Sequence, residues 1–323
     1  MRHALGALLL LLCSPLSAAG EPLRALILTS PGVYHNYENQ NRVLAAGIAR
    51  HANVRFDISL AEIDRWREGD FSDGYDVLVY NLCMADNADA DLIANLRRQT
   101  EELGTPAVVL HCTMHSFRDT DLWWPLYGLK TVRHEPLGPL RQTPVSAHPI
   151  LTGIPRDWVL EEDELYNNIT FEAQPLLRAT AADGSEHTTA WLKPRGDTMV
   201  FGTTAGHSDA SVADPHYQQL LANALLYVTG KLDPQGSPLA GYAGTSQATD
   251  AIGTISAPPG VRFLGADGMD CVRGEFARSA GPCYVGCILH PLRWGESASR
   301  CREDCNAKLP TPDEAIALCM PDA

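Results

Sequence analysis

The sequence predicts an α/β protein with a central parallel β-sheet, followed by a small cysteine-rich unit. Short apolar runs, typical of buried strands, alternate with amphipathic stretches that have helical spacing. Continuous apolar strands separated by helices indicate parallel βαβ units, in which helices cover both faces of the sheet. A hydrophobic content of 45% over 323 residues is sufficient for one large core.

The elements follow from apolar runs and from the residues that bound them. Strands are predicted at 24–28, 54–58, 75–80, 107–110 and 198–204, and helices at 39–52, 89–104 and 214–230. Asp89 is suited to the N-cap of the second helix, and Gly104 and Gly230 are suited to end the second and third. The less regular segment 128–193 is expected to form extra strands and long loops.

The first nineteen residues are predicted to be a secretory signal peptide. Arg2 and His3 form a basic start, residues 4–12 are apolar, and small residues precede a cleavage point after Ala19. No later segment approaches the ~20 apolar residues of a spanning helix, so we expect no membrane insertion. The sequence therefore predicts a secreted or periplasmic protein.

The charge balance excludes some classes of partner. The chain has 25 Lys and Arg residues against 39 Asp and Glu residues, for a formal net charge of −14. A nucleic-acid-binding surface needs a basic face, and anionic lipid also attracts basic segments. We therefore expect no nucleic-acid partner.

A change in composition near residue 231 marks a domain boundary. Residues 231–260 are rich in Gly, Pro, Ser, Thr and Ala and show no helical or strand period, which is typical of a linker. The predicted organisation is a signal peptide at 1–19, an α/β domain at 20–231, a flexible linker at 232–260 and a cysteine-rich domain at 261–323.

The cysteine-rich domain is predicted to be a disulfide-stapled helical hairpin. It contains two i, i+4 cysteine pairs, Cys283 with Cys287 and Cys301 with Cys305, and residues at this spacing lie on one face of a helix. Antiparallel helices would allow the bridges Cys283–Cys305, Cys287–Cys301 and Cys271–Cys319. A zinc site built from the two pairs is the alternative, which an oxidising compartment disfavours.

Three of the predicted strands are followed by a histidine. In open α/β sheets the ligand crevice lies at the carboxyl ends of the strands. His35, His111 and His207 all follow such ends, which favours a shared cleft over three separate loop caps. Neutral imidazoles there could bind a divalent metal ion, or could transfer protons together with a carboxylate. The acidic run 161–164 offers carboxylates, although it also fits a solvated turn.

Cys112 follows a strand at the position where a nucleophile on a tight turn would sit. No glycine flanks it, so a buried cysteine or a bridge to Cys83 is favoured over a catalytic thiol. Both cysteines would also be stable as free buried thiols.

Several motifs occur together in one order along residues 23–230. They are HNY at 35–37, YDVLVYN at 75–81, HCTMHSF at 111–117, WWPLYG at 123–128, RHEP around His134, HPILTGIPRDW at 148–158, DELYNN at 163–168 and TTAGHS at 203–208. In this order the chain resembles the ThuA-like family, which is named for trehalose utilisation and lies in the class I glutamine amidotransferase-like superfamily.

The resemblance implies a flavodoxin-like, three-layer α/β sandwich. It also implies that His35, His111, Glu164 and His207 share one cleft as the catalytic residues. Residues of the same motifs are the candidates for substrate binding: Asn36, Tyr37, Asn81, Ser116, Trp124, His134 and Tyr166. Glutaminase activity is not implied, because the Cys-His-Glu triad of the superfamily is not recognisable here.

The leading functional hypothesis is an exported ThuA-like protein that acts on a small carbohydrate by His/Glu acid–base chemistry. The resemblance links it to keto-sugars or disaccharides. If it is an enzyme, a hydrolase and a lyase are both left open. The sequence identifies no cofactor with certainty, and a divalent metal ion is left open. The alternative is a non-catalytic carbohydrate-binding or extracellular interaction protein. Trp124 could stack on a sugar ring or belong to the core.

Overall fold

The computed structural model describes residues 20–32, 34–245, 251–264 and 271. The helices within these residues are α1 (Tyr37–Ile48), α2 (Ile63–Arg67), α3 (Ala90–Glu101), α4 (Asp209–Ala213) and α5 (Pro215–Val228). The strands are β1 (Leu23–Thr29), β2 (Val54–Leu60), β3 (Val77–Asn81), β4 (Ala107–Leu110), β5 (Leu129–Lys130), β6 (Gly138–Arg141), β7 (Thr143–Pro144), β8 (Val159–Asp163), β9 (Thr170–Phe171), β10 (Gln174–Thr180), β11 (Glu186–Arg195), β12 (Thr198–Thr203) and β13 (Ile252–Ser256).

Nine of the strands in the described part of the chain form one large sheet, in the order β13-β2-β1-β3-β4-β12-β11-β10-β7. The six strands from β13 to β12 are parallel to one another. The order β2-β1-β3-β4-β12 is that of a flavodoxin-like sheet, in which ligands bind where the strand order reverses. The predicted α/β fold with a large central sheet is confirmed.

The sheet is mixed, so the prediction of a parallel sheet is wrong for its last three strands. β11, β10 and β7 are antiparallel to their neighbours. The reason is local, because Arg195 and Thr198 pair across a loop of two residues that includes Gly196 with φ of 55°. Only antiparallel strands can be joined by so short a connection. These strands fall mainly in the segment that lacked a clear period.

Helices cover both faces of the sheet. Ala25 and Ile27 of β1 pack in one apolar cluster with residues of α1 and α5, whereas Leu26 and Leu28 pack in a second cluster with residues of α2 and α3. Successive side chains of a strand point to opposite faces, so burial of both sets requires cover on both sides. This explains why β1 reads as a continuous apolar run.

Two helices begin at N-cap carboxylates, of which the sequence predicts Asp89. The Asp89 carboxylate accepts hydrogen bonds from the first amides of α3, and Asp214 does the same for α5, where Pro215 occupies the first helical position. An N-cap carboxylate and a proline at this position satisfy donors that the helix itself leaves unpaired. The first residues of α3 and α5 are therefore determined by residues next to them in the sequence.

The stretch expected to be a flexible linker differs from that expectation where it is described. Residues 252–256 form β13, which pairs with β2 at the edge of the sheet, and the amide of Phe56 donates to Ala251. Ala243 also forms a bridge to Ala52. Composition alone did not reveal this pairing, because an edge strand needs only backbone contacts along one side.

The predicted signal peptide and the helical hairpin lie outside the described residues. Cys271 is disulfide-bonded, but the other cysteines of the three predicted bridges are not among the residues described. Within the described chain, no helix combines the length and apolarity that crossing a bilayer requires.

A disulfide joins Cys83 and Cys112, whose Cα atoms are 5.1 Å apart. This is the bridge that the sequence left open beside free thiols. It connects the chain just after β3 to the chain just after β4, next to His111. The bridge therefore fixes two of the strand ends at which ligands bind in such sheets.

We expect the bridge to stabilise the fold. Replacing both cysteines in Cys83→Ala/Cys112→Ala should lower the free energy of unfolding by about 3 kcal/mol, since the bridge closes a loop of roughly thirty residues. Peptide mapping without reductant should recover the two cysteine peptides linked. Alkylation of both cysteines before reduction would contradict the bridge.

Candidate active site

Three imidazoles meet at the carboxyl ends of β1, β4 and β12. The ring centroids of His35 and His111 are 4.9 Å apart, those of His35 and His207 are 5.0 Å apart, and those of His111 and His207 are 5.3 Å apart. His35 and His111 are buried, and the His207 side chain is 26% exposed. The sheet topology thus brings together residues that lie far apart in the sequence.

The orientation of the His111 ring is fixed by a backbone carbonyl. Its Nδ1 lies 2.7 Å from the carbonyl oxygen of Thr204. A carbonyl only accepts, so Nδ1 carries the proton and Nε2 keeps its lone pair in the neutral ring. The backbone of His111 has φ of 39°, which is uncommon for a residue with a side chain. Such backbone conformations are concentrated at functional sites.

His35 is oriented in the same way. Its Nδ1 lies 3.2 Å from the carbonyl oxygen of His207, which also accepts from the Gln40 side chain at 2.9 Å. The proton of neutral His35 therefore sits on Nδ1. The Nδ1 of His207 in turn lies 3.3 Å from Nε2 of His111.

A buried carboxylate holds the loop that carries His207. Asp163, at the end of β8, accepts hydrogen bonds from the amides of Gly206 at 2.8 Å, His207 at 3.3 Å and Glu164 at 2.8 Å. Gly206 has φ of 117°, and a Cβ there would lie 2.5 Å from the Tyr217 hydroxyl oxygen. One carboxylate therefore positions both His207 and Glu164.

Glu164 lies against the three-histidine cluster. Its Oε2 is 3.2 Å from Nδ1 of His207 and 3.6 Å from Nε2 of His111. Its Oε1 is 3.4 Å from Nδ1 of His134, a side chain that is 39% exposed. The carboxylate thus contacts the buried imidazoles on one side and an imidazole open to solvent on the other.

Tyr166 lies between His111 and another buried histidine, His115. Its hydroxyl lies 3.3 Å from Nε2 of His111, and its ring stacks on that of His115 with centroids 4.1 Å apart. The ring centroids of His134 and Tyr166 are 5.6 Å apart. His115 and Asp163 are parts of this site that the sequence did not single out. For His115 the signal was its interval of four residues from His111.

Burial keeps these groups in definite protonation states. Desolvation, with the neighbouring His35 and His207, holds the pKa of His111 well below its usual value. Desolvation also lowers the pKa of His115 to about 3. The pKa of Tyr166 is raised well above its usual value, first by burial and then by Glu164. At neutral pH, His111 and His115 are therefore uncharged and Tyr166 keeps its proton.

Among the predicted substrate-binding residues, Tyr37, His134 and Tyr166 lie at the cluster. The ring of Tyr37 is 5.3 Å from that of His35, and its buried hydroxyl has no hydrogen-bond partner among the described residues.

The other four predicted substrate-binding residues make structural contacts. Asn36 caps α1, Asn81 donates to the buried Asn41, the Ser116 hydroxyl accepts from the Met84 amide, and the Trp124 indole donates to Asp121.

Solved structures show the same fold. A putative ThuA-like protein from Parabacteroides merdae matches with a TM-score of 0.54 at 15% identity, over 70% of this chain and 98% of its own. One from Bacteroides uniformis matches with a TM-score of 0.51 at 17% identity, with the same coverage. At such identities the likeness shows the fold alone.

No curated protein matches the sequence. The family model for ThuA, described as trehalose utilisation, matches residues 24–228. These residues include the strands from β1 to β12 and also His35, His111, Glu164 and His207. Because the match spans more than half of the chain, the protein belongs to the ThuA family.

Proposed function

We propose that this protein is an exported enzyme that acts on a small carbohydrate by proton transfer at the His/Glu cluster of His35, His111, His207 and Glu164. The observation that carries the proposal is the contact of the Glu164 carboxylate with His111 and His207 at the carboxyl edge of the sheet. The family description, trehalose utilisation, supports a sugar as the substrate.

Glu164 is the group that we assign to proton transfer. A carboxylate beside a substrate can take a proton and return it as a carboxylic acid, provided that it lies within hydrogen-bond reach. His134 touches the second oxygen of Glu164 and is open to solvent, so it offers a path by which that proton can exchange with water.

We assign substrate binding to the buried imidazole of His111 and its neighbour Tyr166. The Tyr166 hydroxyl donates to Nε2 of neutral His111, and a sugar hydroxyl placed between the two can accept from Tyr166 and donate to His111. A sugar offers both hydroxyl hydrogens and oxygens, so an acceptor next to a donor can bind and orient it. Their rigid backbone partners fix these atoms before the substrate arrives.

A keto-sugar fits this arrangement chemically. A carbonyl acidifies the neighbouring C–H bond, so Glu164 can remove that proton while the C–H electron pair forms an enolate. Collapse of the enolate breaks the C–O bond to the group on the next carbon. The protonated Glu164 then returns the proton to the leaving oxygen. Atoms and charge balance without a redox partner, so this lyase step on an oxidised disaccharide needs no group beyond those of the site and the substrate.

A substrate panel tests the proposal. The full chain should be incubated with neutral disaccharides and with their keto derivatives, and the solutions followed by proton NMR. We expect consumption of at least one keto derivative, with release of its leaving sugar. Binding without consumption would favour the non-catalytic alternative. No binding and no consumption across the panel would reject a carbohydrate ligand of this class.

A further inference from the structure

We propose that the three imidazoles of the His/Glu cluster bind one divalent transition-metal ion, with Zn²⁺ the best match to the ligands. The ligands would be His35, His111 and His207, and the fourth position would hold water or a substrate oxygen beside Glu164. This proposal stands independently of the carbohydrate substrate.

The first support is the proximity of the ligand atoms. Within the described residues, one ligand atom from each of the three histidines lies within 4.8 Å of the other two. Three histidines with an open fourth position are a recurrent ligand set for catalytic zinc. Imidazole nitrogen suits Zn²⁺ and its neighbours in the first transition row, whereas Mg²⁺ and Ca²⁺ favour oxygen ligands.

The second support is the spacing between individual atoms. Zinc–nitrogen bonds of about 2.0–2.1 Å at a tetrahedral angle place two ligand nitrogens about 3.3–3.4 Å apart. Nε2 of His111 and Nδ1 of His207 are 3.3 Å apart. These two nitrogens are therefore already at the separation that the ion requires.

The third support is the hydrogen bond that two of the rings, His111 and His35, make through the ring nitrogen that would not bind the ion. Histidines that bind metals almost always donate their second ring N–H to a carbonyl or carboxylate, which orients the ring and directs the lone pair at the ion. His111 donates from Nδ1 to Thr204, and His35 donates from Nδ1 to His207. In both rings the lone pair is then on Nε2, which would be the ligand atom.

The surroundings also fit an ion with a bound water. Glu164 Oε2 lies 3.2 Å from Nδ1 of His207, close enough to accept a hydrogen bond from water in the fourth position. The buried Tyr37 hydroxyl, which lacks a partner among the described residues, belongs to the ring packed on His35.

A second group, His35 with Cys83 and Cys112, has similar spacing. Its two sulfurs are joined to each other in a disulfide, so they are not available as thiolates. The three-histidine set is therefore the one that fits an ion in the oxidised protein.

The test uses the full chain without reductant, stripped with a chelator and then titrated with Co²⁺, which absorbs strongly in visible light when it is tetrahedral. We expect one equivalent of tetrahedral Co²⁺ per chain, and competition by Zn²⁺. His111→Gln and His207→Gln should each weaken Co²⁺ binding by about 100-fold or more, because each removes a ligand, and even the loss of a ligand's outer contact costs roughly 10- to 100-fold. His207 is partly exposed, so its variant should fold even if that of buried His111 does not.

His51→Gln is the matched control. His51 lies between α1 and the amino end of β2, at the opposite edge of the sheet, and its replacement should leave Co²⁺ affinity unchanged. Absence of stoichiometric binding in the wild-type chain would overturn the proposal. So would binding that His207→Gln leaves intact in a folded protein, because the ion would then lie elsewhere. Either failure would leave the proton-transfer role of Glu164 to be judged by substrate turnover alone.

Discussion

Glu164→Gln should reduce turnover of the carbohydrate substrate by about 1,000-fold, within the range expected when a general acid–base group is lost. Glutamine has the shape of glutamate and keeps hydrogen-bonding atoms near His207 and His134, so it should still bind the substrate. It cannot take up a proton at neutral pH. Steady-state kinetics should therefore show a fall in kcat with little change in KM.

Glu161→Gln is the control for that experiment. Glu161 lies on β8, the strand that leads into Glu164, but is exposed, so its replacement should leave kcat unchanged. Equal turnover by Glu164→Gln and wild type would contradict the assignment of proton transfer to Glu164. A rise in KM at constant kcat would contradict it too, because this would show that Glu164 only binds the substrate.

Asp163→Ala should lower the free energy of unfolding by about 3 kcal/mol, since an unsatisfied buried donor costs roughly 1–3 kcal/mol. The change leaves the amides of Gly206, His207 and Glu164 without their acceptor. Burial disfavours the charged Asp163 and raises its pKa, which offsets part of what these hydrogen bonds contribute. Urea denaturation of the purified variant measures the difference.

Two companion variants make the result specific. Asp157→Ala removes an exposed carboxylate and should change stability by less than about 0.5 kcal/mol. Asp163→Asn keeps the shape and one acceptor oxygen, so its loss should be smaller than that of Asp163→Ala. A stability of Asp163→Ala equal to that of wild type would show that the carboxylate does not hold this loop.

The strands and their exits were predictable because buried parallel strands are apolar throughout. In the sequence, β1, β4 and β12 are each visible as an apolar run, and a histidine follows each run. Parallel strands share one carboxyl edge, so the shared cleft of His35, His111 and His207 follows from the pattern alone. The antiparallel strands β10 and β11 were not predicted individually, because they mix polar and apolar residues.

The remaining parts of the site depend on contacts that no local pattern encodes. Asp163 and Glu164 are neighbours in an acidic run, yet one binds backbone amides while the other faces the imidazoles. That division follows from which face of β8 meets the loop at Gly206. The sequence supplied Glu164 only through the resemblance to the family. The stacking of His115 on Tyr166 likewise requires the three-dimensional structure.

The central claim is that a carbohydrate binds at the His/Glu cluster. A crystal structure of the full chain of Glu164→Gln with the substrate from the panel tests it most directly, because the variant should bind without turning over. We predict a sugar oxygen next to the three imidazoles, with the reacting carbon beside residue 164. A sugar bound elsewhere, such as on Trp124 or on the cysteine-rich segment, with the imidazoles unchanged, would contradict the account.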